Sequence, residues 1–263
     1  GVMGEAPKLT AEESLRFVQR VCRRVDRRIP VIVGVSSPGL AAMRELALRS
    51  IDAGADGVMV APTPGLRSDD QIFAYFENVA ETLGPTLRFA LQDHPVSTGV
   101  TMPASVVLRI VKSIPSCVMV KHEEGPGLNK LSAYRAATER GDVRRFSILT
   151  GNGGGLFLPE ELSRGADGAM TGFPYPEMMV DVCRAHAAGD VERAHDLFDA
   201  YLPLARYEQQ PVIGLAVRKH ILAKRGAIAS PAIRKPGPKL TAADVADIER
   251  LIRRQEKRLR EIG

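Results

Sequence analysis

Two heptapeptides, "AGADGVM" (53–59) and "RGADGAM" (164–170), carry nearly the same residues in distant parts of the chain. Each follows a segment with helical apolar spacing and precedes a short β-rich run. They read as one joint used twice: a helix end, a turn that glycine permits, and a new strand. Outward from these joints, β-rich runs recur as "VIVGVS" (31–36), "GVMVAP" (57–62), "RFALQD" (88–93), "CVMVKH" (117–122), "SILTG" (147–151) and "GAMTG" (168–172). Amphipathic segments fill the gaps, most clearly over 40–53, 69–83, 103–113 and 156–164. Thr10 with Glu13, and Ser68 with Gln71, have the spacing of reciprocal N-terminal caps. Gly54, Gly141 and Gly165 are expected to stop helices.

Strand and helix in unbroken alternation predict a parallel sheet with helices outside it. The runs are apolar nearly throughout, as strands buried on both faces should be. No glycine-rich dinucleotide fingerprint follows an early strand, so the reading is an α/β (β/α)₈ barrel rather than an open Rossmann sheet. Six runs plus "GVMGE" at the start make seven of the eight strands, so a first strand and helix are expected to be missing from the given chain, or the barrel to stay open. After Gly172 only helices are expected, over 177–188, 191–206, 211–225 and 241–261, with the proline-rich "SPAIRKPGPK" (230–239) before the last. This divides the chain into a barrel over 1–176 and a helical appendage of the same domain over 177–263.

Bulk properties narrow the function. The 263 residues are 44% hydrophobic and 25% charged, which is globular composition. No apolar run can span a bilayer and no secretory signal opens the sequence, so no membrane partner is expected. Three scattered cysteines form no disulfide framework or zinc motif, which makes a reducing cytoplasm the expected setting. The net charge of +5 is partly local to the last helix, where acids interleave with Arg253, Arg254, Lys257, Arg258 and Arg260. That stretch has no aromatic residue to stack on bases, so nucleic acid is not an expected partner.

In barrels of this kind the chemistry sits on the loops that follow the strands. The loop "KHEEGPG" (121–127) draws attention because an apolar strand ends there in Lys121. By strand alternation Met119 and Lys121 share one face, while Val118, Val120 and His122 share the other. In the neighbouring run Ala90, Gln92 and His94 share a face, opposite Phe89, Leu91 and Asp93. The alternation alone leaves open which parity faces the axis. Apolar surroundings would disfavour an ammonium at position 121 and leave an amine able to attack a carbonyl. The competing reading is an outward-pointing lysine paired with Glu123 or Glu124.

The motifs "GVMGEAPKLTAEE", "VIVGVSS", "AGADGVMVAPT", "DHPVSTGV" and "VMVKHEEG" resemble, in order and spacing, the dihydrodipicolinate synthase/N-acetylneuraminate lyase family. The resemblance implies a class I aldolase or dehydratase on a (β/α)₈ barrel with a C-terminal helical region. It implies that Lys121 forms a Schiff base with pyruvate or another 2-oxo acid, and that Gly151, Asn152 and Met170 line the imine pocket. It also implies a homo-oligomer, typically a tetramer.

Departures from the family pattern are equally specific. The usual hydroxyl residues of the first loop are Val2 and Met3 here, leaving the backbone amides of Met3 and Gly4 to bind a carboxylate. The family's proton-shuttling tyrosine aligns with Gln92, and the arginine that holds a second substrate's carboxylate aligns with Ser97. His94 and Glu123 are the candidates to move protons in their place. The expected activity is a Schiff-base lyase that is not an authentic dihydrodipicolinate synthase, with no cofactor and no metal. Two alternatives stay open: a metal-dependent aldolase or hydratase using Asp93, His94, His122 and Glu123, and a non-catalytic relative that binds a small acid.

Overall fold

The structure, a computed structural model, describes residues 5–125, 127–151 and 156–263. The chain divides into two compact units, Gly1–Leu149 and Thr150–Gly263. In the first, helices and strands alternate as α1 (Ala11–Val25), β1 (Ile32–Gly34), α2 (Leu40–Asp52), β2 (Gly57–Val60), α3 (Asp69–Leu83) and β3 (Phe89–Asp93). A four-residue turn of helix, α4 (Pro95–Thr98), precedes α5 (Ala104–Ser113), β4 (Cys117–His122), α6 (Leu128–Glu139) and β5 (Ser147–Thr150). The strands lie in the sheet in chain order, and β1 through β4 pair parallel. That is the α/β arrangement the repeating rhythm calls for.

The two twin heptapeptides fold alike. Gly54 N–H donates to Ile51 O and Ala55 N–H to Ser50 O; Gly165 N–H donates to Leu162 O and Ala166 N–H to Glu161 O. Both glycines are left-handed, at φ 101° and 93°, and satisfy carbonyls that the helix end would leave orphaned. The caps form as read: Thr10 Oγ1 accepts from Glu13 N–H at 3.1 Å while Glu13 accepts from Thr10 N–H at 2.9 Å, and Ser68 and Gln71 exchange the same pair.

The faces of the sheet are now assigned. Phe89 of β3 stacks on Phe76 of α3, with ring centroids 6.3 Å apart and planes 3° from parallel, so the parity of Phe89, Leu91 and Asp93 faces the helices. Ala90 and Gln92 face the other way. The register carries this to β4, pairing Ala90 with Met119, Leu91 with Val120, Gln92 with Lys121 and Asp93 with His122. Val58, Val60, Phe76, Val79, Val107, Ile110, Val120, Leu131, Tyr134 and Ile148 are fully buried and make the core of this unit.

The second unit takes up the end of β5 and adds α7 (Leu158–Ser163), β6 (Gly168–Ala169), α8 (Pro176–Ala187), α9 (Val191–Glu208), α10 (Gly214–Lys224) and α11 (Ala242–Ile262). Its apolar core joins Leu158, Phe173, Met178, Val182, Phe198 and Tyr201. A smaller cluster of Leu204, Val217, Ile221 and Ile248 seats α11. The helix expected from Pro211 starts three residues later. Val212 sits at φ 73°, a turn that an α-helix cannot include. The described residues contain six strands; of the strand end expected at "GVMGE" (1–5), residues 1–4 lie outside those described and Glu5 sits in a turn.

Candidate active site

Lys121 is the next-to-last residue of β4, on the face that the helices do not cover. Its Nζ lies 2.9 Å from Glu123 Oε1, and the two side chains are only 13% and 8% exposed. Gln92, its partner across the β3–β4 ladder, donates from Nε2 to the same oxygen at 2.6 Å. The lysine therefore does not snorkel outward; its ion pair is held inside. Nor is it surrounded by apolar groups alone, as the sequence reading expects, because strand alternation brings residue 123 back to the same side as 121. One carboxylate oxygen thus gathers an ammonium and an amide, an arrangement in which charge-assisted bonds fix all three groups.

The opposite face carries a second polar cluster. Asp93 and His122 are fully buried, with Asp93 Oδ2 3.6 Å from His122 Nδ1. Lys130, in the first turn of α6, lies 2.5 Å from Asp93 Oδ2 and 2.9 Å from Glu124 Oε2. His122 Nε2 is 3.0 Å from Gly127 O, a geometry in which the ring N–H donates to the carbonyl. The Tyr134 ring meets His122 edge to face at 6.0 Å. Burial raises the Tyr134 phenol well above its ordinary pKa, and the charges of Asp93 and Glu124 add to the effect.

Gly127 lets the loop fold back this tightly. It sits at φ 49°, and a β-carbon there would come 2.2 Å from His122 Nε2 and 2.5 Å from Glu124 O.

His94 sits at the N-terminus of α4, where its carbonyl accepts from the N–H groups of Ser97 and Thr98 and from both hydroxyls. Its Nδ1 is buried with no hydrogen-bond partner. Asp93 does not orient His94; it is engaged with Lys130. Ser97 is exposed and bonds back within its own turn. In the second unit Gly151 is buried beyond β5, and Met170 N–H donates to Thr150 O at 2.7 Å. Met3, Gly4 and Asn152 lie outside the described residues.

The metal-site reading loses its geometry. Asp93 and His122 face α6 and Glu123 faces away from it. Among the described residues no three His, Cys, Asp or Glu side chains converge as metal ligands. The residues that sequence reasoning missed are Lys130, Tyr134 and Gly127. Leu128, Leu131, Tyr134 and Ala137, spaced by three, were the available signal that a helix started there.

The site thus presents a lysine near the tip of a central strand of a parallel α/β sheet, paired inside with a carboxylate. The dihydrodipicolinate synthetase family pattern matches residues 1–255, and the chain belongs to that family of class I lyases. The 4-hydroxy-tetrahydrodipicolinate synthase of Oceanobacillus iheyensis is 31% identical over 207 residues, 78% of this chain and 67% of that protein. The crystal structure of dihydrodipicolinate synthase from Rhodopseudomonas palustris superposes with a TM-score of 0.94 at 50% identity, covering 97% of this chain and 84% of that one. That of YagE from Escherichia coli K12, a member of the same family in complex with pyruvate, superposes with a TM-score of 0.86 at 26% identity, covering 97% and 85%. No helix among the described residues is long and apolar enough to cross a membrane.

Proposed function

We propose that this lyase condenses Lys121 with pyruvate or a similar 2-oxo acid, with Glu123 moving the protons and Gln92 holding Glu123 in place. The observation that carries the reading is the enclosed Lys121–Glu123 pair, 2.9 Å apart with Gln92 on the shared oxygen. The pyruvate complex of YagE supports the substrate class.

The chemistry balances through these groups. Glu123 takes one proton from the Lys121 ammonium. The amine attacks C2 of the oxo acid, and the carbonyl oxygen picks up a second proton from the same nitrogen. Glu123 then returns its proton to that hydroxyl, which leaves as water while C2 and Nζ form the iminium. Glu123 ends as a carboxylate, ready to take a proton from C3 and generate the enamine that makes or breaks a C–C bond. The glutamine at position 92 cannot act as an acid, but its amide keeps the carboxylate oxygen pointed at Nζ.

The second substrate is read from Ser97. Family synthases place an arginine there, whereas this serine is exposed and bonded to His94 O. With serine rather than arginine at position 97, a neutral aldehyde fits better than an anionic one, so on this reading the enzyme is not a 4-hydroxy-tetrahydrodipicolinate synthase. The same reading takes the enzyme to work in the cytoplasm as a homo-oligomer.

Borohydride trapping against a panel of 2-oxo acids tests this. The expected result is an irreversible mass increase localised to Lys121, absent in Lys121→Ala. No adduct with any oxo acid would overturn the proposal.

A further inference from the structure

The cluster behind the lysine takes no part in the proton transfers above, yet through Asp93 it is bonded to the backbone that presents Glu123. The Asp93 carbonyl accepts from Glu123 N–H at 2.9 Å, one residue beyond the end of β4. The Asp93 carboxylate is held at 2.5 Å by Lys130, whose side chain is 9% exposed. Lys130 reaches it because Gly127, at φ 49°, starts α6 directly against His122. We infer that Lys130 is a positioning residue: by clamping Asp93 it fixes the β3–β4 strand ends, and through them the Glu123 carboxylate, against Lys121.

One chain of atoms with no slack links the clamp to the carboxylate. Asp93 is the residue whose main chain holds Glu123 and whose side chain holds Lys130. A shift of the Asp93 backbone therefore moves the Glu123 amide directly. Glu123 must stay within hydrogen-bond reach of Nζ while the nitrogen passes from ammonium through carbinolamine to iminium, and a displacement of about 1 Å at such a group costs on the order of 10²-fold in rate. Removing the Lys130 charge leaves the buried Asp93 carboxylate without its cation, next to an Oδ1 that already lacks a partner. The strand end is then expected to relax toward water, taking Glu123 with it.

This inference rests on Lys121 as the imine-forming residue, and the experiment separates the two. The full chain is incubated with pyruvate, or with whichever oxo acid of the panel labels it best. Borohydride is added at timed intervals, and intact mass is read for wild type, Lys130→Met and Asp93→Asn. Lys130→Met should form the adduct about 10²-fold more slowly at saturating oxo acid, with the half-saturating concentration within about threefold of wild type. Asp93→Asn keeps the main-chain carbonyl and weakens the clamp, so a loss of roughly tenfold is expected. Circular dichroism checks that both variants are folded at the assay temperature, and Asp93→Asn carries the test if Lys130→Met is not. Labelling at the wild-type rate in a folded variant, or a loss that only tracks the unfolded fraction, overturns the positioning role and leaves the imine reading standing. No labelling of wild type sinks both.

Discussion

Replacing Glu123 by glutamine isolates the proton transfer from the packing. The amide has the same shape and its oxygen can still accept from Lys121 and Gln92, which now share Glu123 Oε1 at 2.9 and 2.6 Å. What is lost is the ability to take and return a proton. Imine formation strips two protons from one nitrogen and delivers both to a single departing water, and in the structure Glu123 is the carboxylate in contact with that nitrogen. Positioned acid–base groups contribute on the order of 10²–10⁴-fold. Water can reach a lysine that is 13% exposed and substitute in part, so the lower half of that range is expected. The trapping rate of Glu123→Gln should fall about 10²–10³-fold, a barrier increase of roughly 3–4 kcal/mol. The assay is timed borohydride quenching with intact-mass detection, and Lys121→Ala supplies the zero. Glu123→Asp keeps the carboxylate but withdraws it by a methylene, so it should lie between the two. If Glu123→Gln labels within about threefold of wild type, the carboxylate is a counter-ion only and the proton route argued here is wrong.

Three further outcomes follow from other parts of the structure. Gly127→Ala must place a β-carbon 2.2 Å from His122 Nε2 at φ 49°, so a loss of about 2–4 kcal/mol and a drop in Tm of roughly 4–16 °C are expected by thermal denaturation. In the second unit Arg218 of α10 bonds the buried Glu208 of α9, and burial pushes the Glu208 carboxyl up to about 7 against the pull of Arg218. A carboxyl raised on folding gives its full contribution below its ordinary 4.5 and loses it as pH climbs to about 7. Relative to Glu208→Gln, wild type should therefore lose roughly 3 kcal/mol across that window in urea titrations, and a flat difference would refute the assignment. At pH 8 Arg218→Met should cost about 3–5 kcal/mol, and adding Glu208→Gln should recover most of it. Finally, an assay of 4-hydroxy-tetrahydrodipicolinate synthase activity should show no turnover under conditions where pyruvate labels Lys121. Robust turnover would mean that Ser97 does not exclude an anionic partner.

The sequence made some of this legible and hid the rest for physical reasons. Lys121 could be singled out because an ammonium at the end of "CVMV" breaks an apolar run, and Glu123 because it sits at the strand end beside that lysine. The twin joints and both reciprocal caps are local, each fixed within a few residues, and they form as read. Which parity faces the helices is a tertiary fact. It needed Phe89 against Phe76, contributed by separate elements, and so no single strand could reveal it. Lys130 stayed hidden because α6 starts at a left-handed glycine rather than at a Ser, Thr or Asp cap, and its apolar stripe is diluted by alanines. Gly141 marked where that helix stops but not where it starts.

The parity also explains why five polar residues at the ends of two adjacent strands, Gln92, Asp93, Lys121, His122 and Glu123, do not form one site. Lys121 and Glu123 point away from the helices with Gln92, while His122 points toward them with Asp93, so adjacent residues serve opposite faces of one sheet. A single-residue slip of β4 against β3 would exchange the two sets, putting the imidazole where the amine belongs. The Asp93 carbonyl on Glu123 N–H and the Lys130 clamp both oppose that slip at its most consequential point. On this argument the buried charges cost stability in isolation, and what they secure in return is the register on which the chemistry depends.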